Sequence, residues 1–245
     1  VPMPYLHANN MKTFLLSLLG MTLAATSALQ AQFPVPAENE DAGFKQILTQ
    51  QTLDQWSGDA DYWRFEDGVL IGEVTEDKLL EENTFYIWDK EVEDFEFKVE
   101  YRVSDEGNSG INYRSETVDG VKYALRGYQA DLDGANRWSG QLYEERGREF
   151  LAVRGQITHV RKDDTPREIG SVGEEDELAG VVRDGWNEYH LIARGNTLIH
   201  MLNGQVMAVV IDDGEQRAMK GLLGVQIHQG PPMKVEFRNM RFKEF

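Results

Sequence analysis

The sequence predicts an all-β fold, a sandwich of two antiparallel sheets, and three observations carry that prediction. Segments alternating apolar and polar residues recur along the chain, and strand side chains point alternately to opposite faces. Turn signals separate the segments at Asp67-Gly68, Arg194-Gly195-Asn196 and Asn203-Gly204. Helical periodicity is nearly absent, and Thr49–Trp56 and Glu215–Met219 each suit a single turn. Many short strands without a fixed-period repeat fit a sandwich. The 23 glycines and 7 prolines among 245 residues suit a turn-rich chain, and 41% hydrophobic residues supply one substantial core.

In chain order, residues 1–31 read as an upstream extension followed by an export signal. Met11-Lys12 gives the positive start, Phe14 to Leu23 the apolar run, and Leu29-Gln30-Ala31 the small-residue cleavage site. The run is too short for a membrane span. The expectation is an exported protein, periplasmic or extracellular, with no lipid anchor because no cysteine follows the cleavage point. Residues 32–42 read as a flexible lead-in and 43–245 as one domain.

Within that domain, Trp63 to Ile71 reads as two strands around Asp67-Gly68. Phe95 to Val103 alternates throughout, with Phe95, Phe97, Val99, Tyr101 and Val103 on the buried face. Tyr189–Ala193, Thr197–Leu202 and Gln205–Ile211 form a meander, and Val235–Phe245 is the last strand. Trp138 to Arg183 shows weak strand character only at Phe150–Val153 and Gln156–Val160, and is expected to form loops walling a site. Trp56, Trp63 and Trp88 are expected in the core.

The formal charge is −17; residues 1–31 hold one lysine and no acid, so the remainder carries −18. This argues against nucleic acid, whose affinity rests on basic contacts to phosphate, and against anionic membrane surfaces. A neutral substrate such as a sugar fits, and solubility alone accounts for the charge equally well. There is no cysteine, which rules out thiol catalysis and thiolate metal sites.

Three stretches carry the chemistry: Gly110-Ile111-Asn112-Tyr113-Arg114, Tyr128-Gln129-Ala130-Asp131-Leu132-Asp133 and Leu223-Gly224-Val225-Gln226-Ile227-His228. Alternation sends Ile111, Tyr113, Ala130, Leu132, Val225 and Ile227 to the core. Asn112, Arg114, Gln129, Asp131, Asp133, Gln226 and His228 then face outward. In one sheet they make a polar floor of the composition a sugar site requires.

In order along the chain stand Gly107-Asn108-Ser109-Gly110-Ile111, Gly127-Tyr128-Gln129-Ala130-Asp131 and Gly140-Gln141-Leu142-Tyr143-Glu144-Glu145-Arg146-Gly147-Arg148. Trp186-Asn187-Glu188-Tyr189, Leu202-Asn203-Gly204, Gly224-Val225-Gln226-Ile227-His228 and Val235 to Arg241 follow. With these motifs the chain resembles the 3-keto-disaccharide hydrolase domain family over Gly43 to Phe245. The resemblance implies a concanavalin A-like lectin/glucanase jelly roll whose concave sheet binds sugar. It also implies cleavage of glycosides already oxidised to a ketone at C3.

That chemistry needs a base for the C2 proton, an acid for the leaving oxygen and a donor for the enolate. The catalytic candidates are His228, Asp131 and Glu144. The substrate-binding candidates are Asn108, Asn112, Arg114, Tyr128, Gln129, Trp138, Tyr143, Arg146 and Gln226, with Trp138 and Tyr128 as an aromatic platform. Arg114, Arg146 and Arg148 are oxyanion candidates. Glu144 and Arg146 are preferred to Glu145 and Arg148. Asp131 with Asp133 suits catalysis, a divalent cation or a turn, and no ligand spacing is diagnostic of a metal. His159 could reach the site from its loop; His190 and His200 are expected at strand surfaces. A non-catalytic sugar-binding module is the main alternative. A conventional glucanase is weakened because Gln129 stands at the nucleophile's place, and double displacement needs two carboxyls about 5 Å apart.

Overall fold

Phe95, Phe97, Val99 and Tyr101 occupy every second place of one strand and are all buried, so alternation sets the sandwich as expected. The computed structural model describes residues 41–245. The expected signal segment and residues 32–40 of the lead-in lie outside the described residues. Gly43–Phe245 forms one unit.

The first strands are β1 (Lys45–Gln46), β2 (Trp56–Ser57), β3 (Trp63–Glu66), β4 (Val69–Val74), β5 (Thr84–Val92) and β6 (Phe95–Val103). Next come β7 (Asn108–Thr117), β8 (Leu125–Asp133), β9 (Leu142–Glu145), β10 (Glu149–Ala152), β11 (Gln156–Val160) and β12 (Pro166–Ser171). A short helix α1 (Glu175–Ala179) precedes β13 (Asn187–Arg194), β14 (Thr197–Leu202), β15 (Gln205–Asp212), β16 (Gly221–Ile227) and β17 (Met233–Glu244). One sheet runs β12-β11-β15-β14-β13-β6-β17-β4-β3, with β1 paired to β17. The other runs β10-β9-β8-β7-β16-β5-β2. All pairings are antiparallel except β11 with β15. No helix among the described residues is long and apolar enough to cross a membrane.

The β3–β4 hairpin turns at Asp67 and Gly68, both at positive φ (49° and 80°), as a two-residue turn requires. The β14–β15 turn repeats this at Asn203 and Gly204 (49° and 83°). Trp56, Trp63 and Trp88 are buried. Trp138 to Arg183 departs from the expectation of loops: it holds four strands and α1, and β11 joins one sheet while β9 and β10 extend the other. These strands are four to six residues long, too short for their alternation to stand out in a sequence rich in Gly, Arg and acids.

Two polar clusters lie between the sheets. His200 is fully buried, contrary to the surface expectation, because β14 alternates and sends Leu198, His200 and Leu202 to one face. Its Nδ1 donates to the Gln141 carbonyl (3.1 Å), leaving Nε2 to accept from the Tyr113 hydroxyl (2.9 Å). Burial lowers its pKa to about 3, so it stays neutral. In the second cluster, Arg148 donates twice to Glu144 (2.6 and 2.8 Å) and once to Asp212 Oδ2 (2.7 Å). The Tyr128 hydroxyl also donates to Asp212 (2.5 Å).

Replacing Arg148 by Ala would leave Glu144 and Asp212 buried without their cation. Urea unfolding of Arg148→Ala is expected to show a loss of about 3–5 kcal/mol. A loss below about 1 kcal/mol would mean the cluster is solvated.

Candidate functional site

The outer face of the seven-stranded sheet carries the polar floor. Strand register aligns Gly224, Asn112, Gln129, Tyr143 and Phe150 in one row across β16, β7, β8, β9 and β10. The adjoining row pairs Gly110 with Asp131, and the next pairs Asn108 with Asp133. The His228 amide donates to the Asn108 carbonyl (3.3 Å), which brings His228 to the end of that last row. Two strand spacings and one two-residue step separate the backbones of Asp131 and His228, about 12 Å.

Gln226 Nε2 donates to Gln129 Oε1 (2.9 Å), and Gln129 Nε2 donates to Asp131 Oδ1 (2.9 Å). The chain of amides passes over Gly110, where a Cβ would stand 2.5 Å from the Gln129 side chain. Only glycine leaves Gln129 that path. Asp131 is 8% exposed, and no described residue donates to its Oδ2. Burial raises its pKa to about 7; Gln129 opposes the rise, and Glu145 and Asp133 add to it.

The floor is more enclosed than an open concave sheet. Arg114 (φ 46°), Gly127 (φ 141°) and a register shift after Tyr113 bend the far end of the β7–β8 hairpin. Leu125 packs with Phe85, Ile87 and Leu222 and closes over Gly224, and the Phe85 amide donates to the Tyr123 carbonyl. Beneath it Asn112 and Gln226 are fully buried, and Asn112 Oδ1 and Gln226 Oε1 accept no hydrogen bond. Orphaned buried acceptors are rare and mark a place for a donor such as water or a hydroxyl. Asn83, which the sequence reading missed, joins two walls: it donates to Glu145 (3.1 Å) and accepts from the Gln229 amide (2.9 Å).

At the rim, His228 Nδ1 donates to the Gln229 carbonyl, which fixes the tautomer and leaves Nε2 as the free acceptor. Asn108 is half-buried there. Tyr143 is half-buried; burial raises its pKa, with Glu145, Glu149 and Asp131 adding to the rise. Trp138 stands exposed against Phe150, as an aromatic platform would.

Several expectations fail on geometry. Glu144 is not on the floor: Tyr143 and Glu145 face outward, so Glu144 faces the core and binds Arg148. Arg114 is turned out of the alternation by its positive φ and is 1% exposed. It donates to the Glu93 and Gly195 carbonyls and to Asp94, a brace rather than an oxyanion group. Tyr128 is buried with Ala130 and Leu132 in the core, so it offers no platform. His159 pairs with Asp213 on the other sheet (2.9 Å). Arg146 pairs with Glu82 (3.0 Å) and lines a cleft of about 190 Å³ with Arg114, Gly127, Glu144 and Glu145. Asp133 accepts from the Arg137 amide and guanidinium, a loop cap. Among the described residues no three His, Asp or Glu side chains converge as a metal site.

Residues 43–243 match the 3-keto-alpha-glucoside-1,2-lyase-like domain, and the chain belongs to that family. None of the curated proteins compared with it matches. Among solved structures it is similar to a candidate glycosyl hydrolase from Parabacteroides distasonis (15% identity, 82% of this chain and 99% of that one, TM-score 0.55). It is also similar to a Bacillus subtilis protein with a galectin-like fold (13% identity, 82% and 94%, TM-score 0.53). A carbohydrate binding module from Bacillus subtilis follows (12% identity, 78% and 96%, TM-score 0.50). These likenesses fix the fold as a concanavalin A-like jelly roll.

Because the folded state raises the Asp131 pKa from 3.8 to about 7, it holds a proton that the unfolded chain has lost over that range. The stabilisation is full below pH about 4 and is lost as pH rises through about 7. Asp131→Asn, which keeps the Oδ1 acceptor, is therefore expected to raise Tm at pH 8 and leave it unchanged near pH 4. Equal Tm differences at both values would place Asp131 in water.

Proposed function

We propose that this protein cleaves 3-keto-glycosides by elimination, with Asp131 as acid and His228 as base. The observation that carries the reading is a buried carboxyl that titrates near neutrality, aimed by two amides, on a face where Gln129 replaces a nucleophile. Membership of the 3-keto-alpha-glucoside-1,2-lyase-like domain family supports the substrate class.

A C3 ketone acidifies the neighbouring C2 proton. His228 Nε2 takes it, the electrons form the C2–C3 enolate, and the C1–oxygen bond breaks as the enolate collapses. Protonated Asp131 gives its proton to the departing oxygen. The product is an unsaturated keto-sugar and a free leaving group. Water then adds at C1, losing a proton to the Asp131 carboxylate, while protonated His228 returns a proton to C2. Atoms and charges balance, and both residues end as they began. The enolate oxygen needs a donor, and the Tyr143 hydroxyl and Asn108 amide at the rim are the available groups.

The carbohydrate binding module likeness favours a second reading, glycan binding without turnover. Purified protein should release sugar from a 3-keto-disaccharide and leave the unoxidised parent intact. Asp131→Asn and His228→Ala should each lower kcat about 100-fold or more. The rate should fall as pH rises above about 7, where Asp131 loses its proton. Turnover of the plain disaccharide alone would refute the mechanism, and glycan binding unaffected by either variant, with no turnover, would support the second reading.

A further inference from the structure

We infer that Trp138 and Phe150 form a subsite for the leaving group of the substrate, shaped for a neutral, flat ring. The inference rests on the sugar site proposed above and specifies what that site holds beside the reacting sugar.

Both side chains are 42% exposed. Single exposed apolar residues are ordinary, but two rings held together at a polar face are not. Their centroids lie 5.9 Å apart at 35°, and Phe150 is braced edge-on by Tyr143 at 5.1 Å. The backbone aims them: Glu149 takes a positive φ of 64°, and a register shift follows Phe150 in its pairing with β9. The shelf therefore stands ready without a ligand.

Its position identifies the occupant. Phe150 pairs with Tyr143, and Tyr143 pairs with Gln129, so the shelf ends the floor's own row. Two strand spacings separate Gln129 from Phe150, about 10 Å, and two six-membered rings joined by one oxygen span that length. A sugar held beside Asp131 on the open part of the face, where Asn108, His228 and Tyr143 stand, thus sets its leaving group over Tyr143 and against the shelf. Glu145 and Glu149 are the carboxylates whose charge, after burial, raises the Tyr143 pKa. An anionic ring would be repelled there. The ring face is met by stacking, which an aryl group or the C–H face of a second sugar provides.

The test uses unoxidised glycosides, so it reads binding apart from turnover. Intrinsic fluorescence and calorimetry would compare methyl glucoside, phenyl glucoside, 4-carboxyphenyl glucoside, a glucose disaccharide and free phenol. Phenyl glucoside or the disaccharide should bind about tenfold tighter than methyl glucoside, and whichever gains names the ring. The carboxylate should abolish the gain. Trp138→Ala and Phe150→Ala should each remove it while leaving methyl glucoside affinity unchanged, and Trp138→Phe should retain most of it. Equal affinity for methyl, phenyl and disaccharide ligands, or a gain that survives both alanine variants, would overturn the subsite. Phenol bound at Trp138 with no glucoside bound anywhere would support the shelf and sink the sugar floor instead. No binding by any probe would overturn both.

Discussion

The site depends on one hydrogen-bonded relay, Gln226 to Gln129 to Asp131. Gln129 presents its oxygen to Gln226 and its nitrogen to Asp131, so fixing Gln226 orients the donor that meets Asp131. The relay needs space over Gly110 and exclusion of bulk solvent from its carboxyl end, where Asp131 is 8% exposed. That exclusion raises the Asp131 pKa to about 7, since an ionised carboxyl loses hydration that a single amide donor does not restore. Stability that falls above neutral pH and a carboxyl that keeps its proton up to neutral pH are two expected consequences of the same burial.

A second constraint is the bend in the β7–β8 hairpin. Regular alternation through Arg114 would have sent a guanidinium to the floor. Positive φ at Arg114 instead turns it to bond Glu93, Gly195 and Asp94, so its charge is consumed in holding the bend. The bend brings Leu125 over Gly224 and encloses Asn112 and Gln226. One strained residue thus exchanges a floor cation for a roof. The open part of the face is left to Asn108, His228, Tyr143 and the Trp138–Phe150 shelf.

Most of the fold was legible because period-two alternation is a local signal. Strand β6 begins and ends where the alternation does, and the two glycine turns stand where Asp67-Gly68 and Asn203-Gly204 mark them. The same rule, applied strictly, would also have given three of the corrections. Leu142 and Glu144 share a face opposite to Tyr143 and Glu145, Tyr128 shares one with Ala130, and His200 one with Leu198. The resemblance had favoured Glu144 by motif, and the periodicity outranked it. Arg114 and Asn83 are different. A positive φ on arginine has no local sequence mark, and Asn83 matters only because Glu145 and Gln229, distant in the chain, meet at it.

The geometry also separates the competing chemistries. Double displacement needs a nucleophilic carboxylate at the sugar's C1, with a second carboxyl about 5 Å away. Gln129 is an amide already committed at both ends, and Glu144 is withdrawn to Arg148. Glu145 remains on the outer face, yet it is held by Asn83, and its charge acts on Asp131 by raising its pKa. In that arrangement Glu145 is worth more as a charge that keeps Asp131 protonated than as a nucleophile. A protonated Asp131 and an imidazole acceptor on the same face suit the proposed elimination, which needs no covalent bond from the protein to C1.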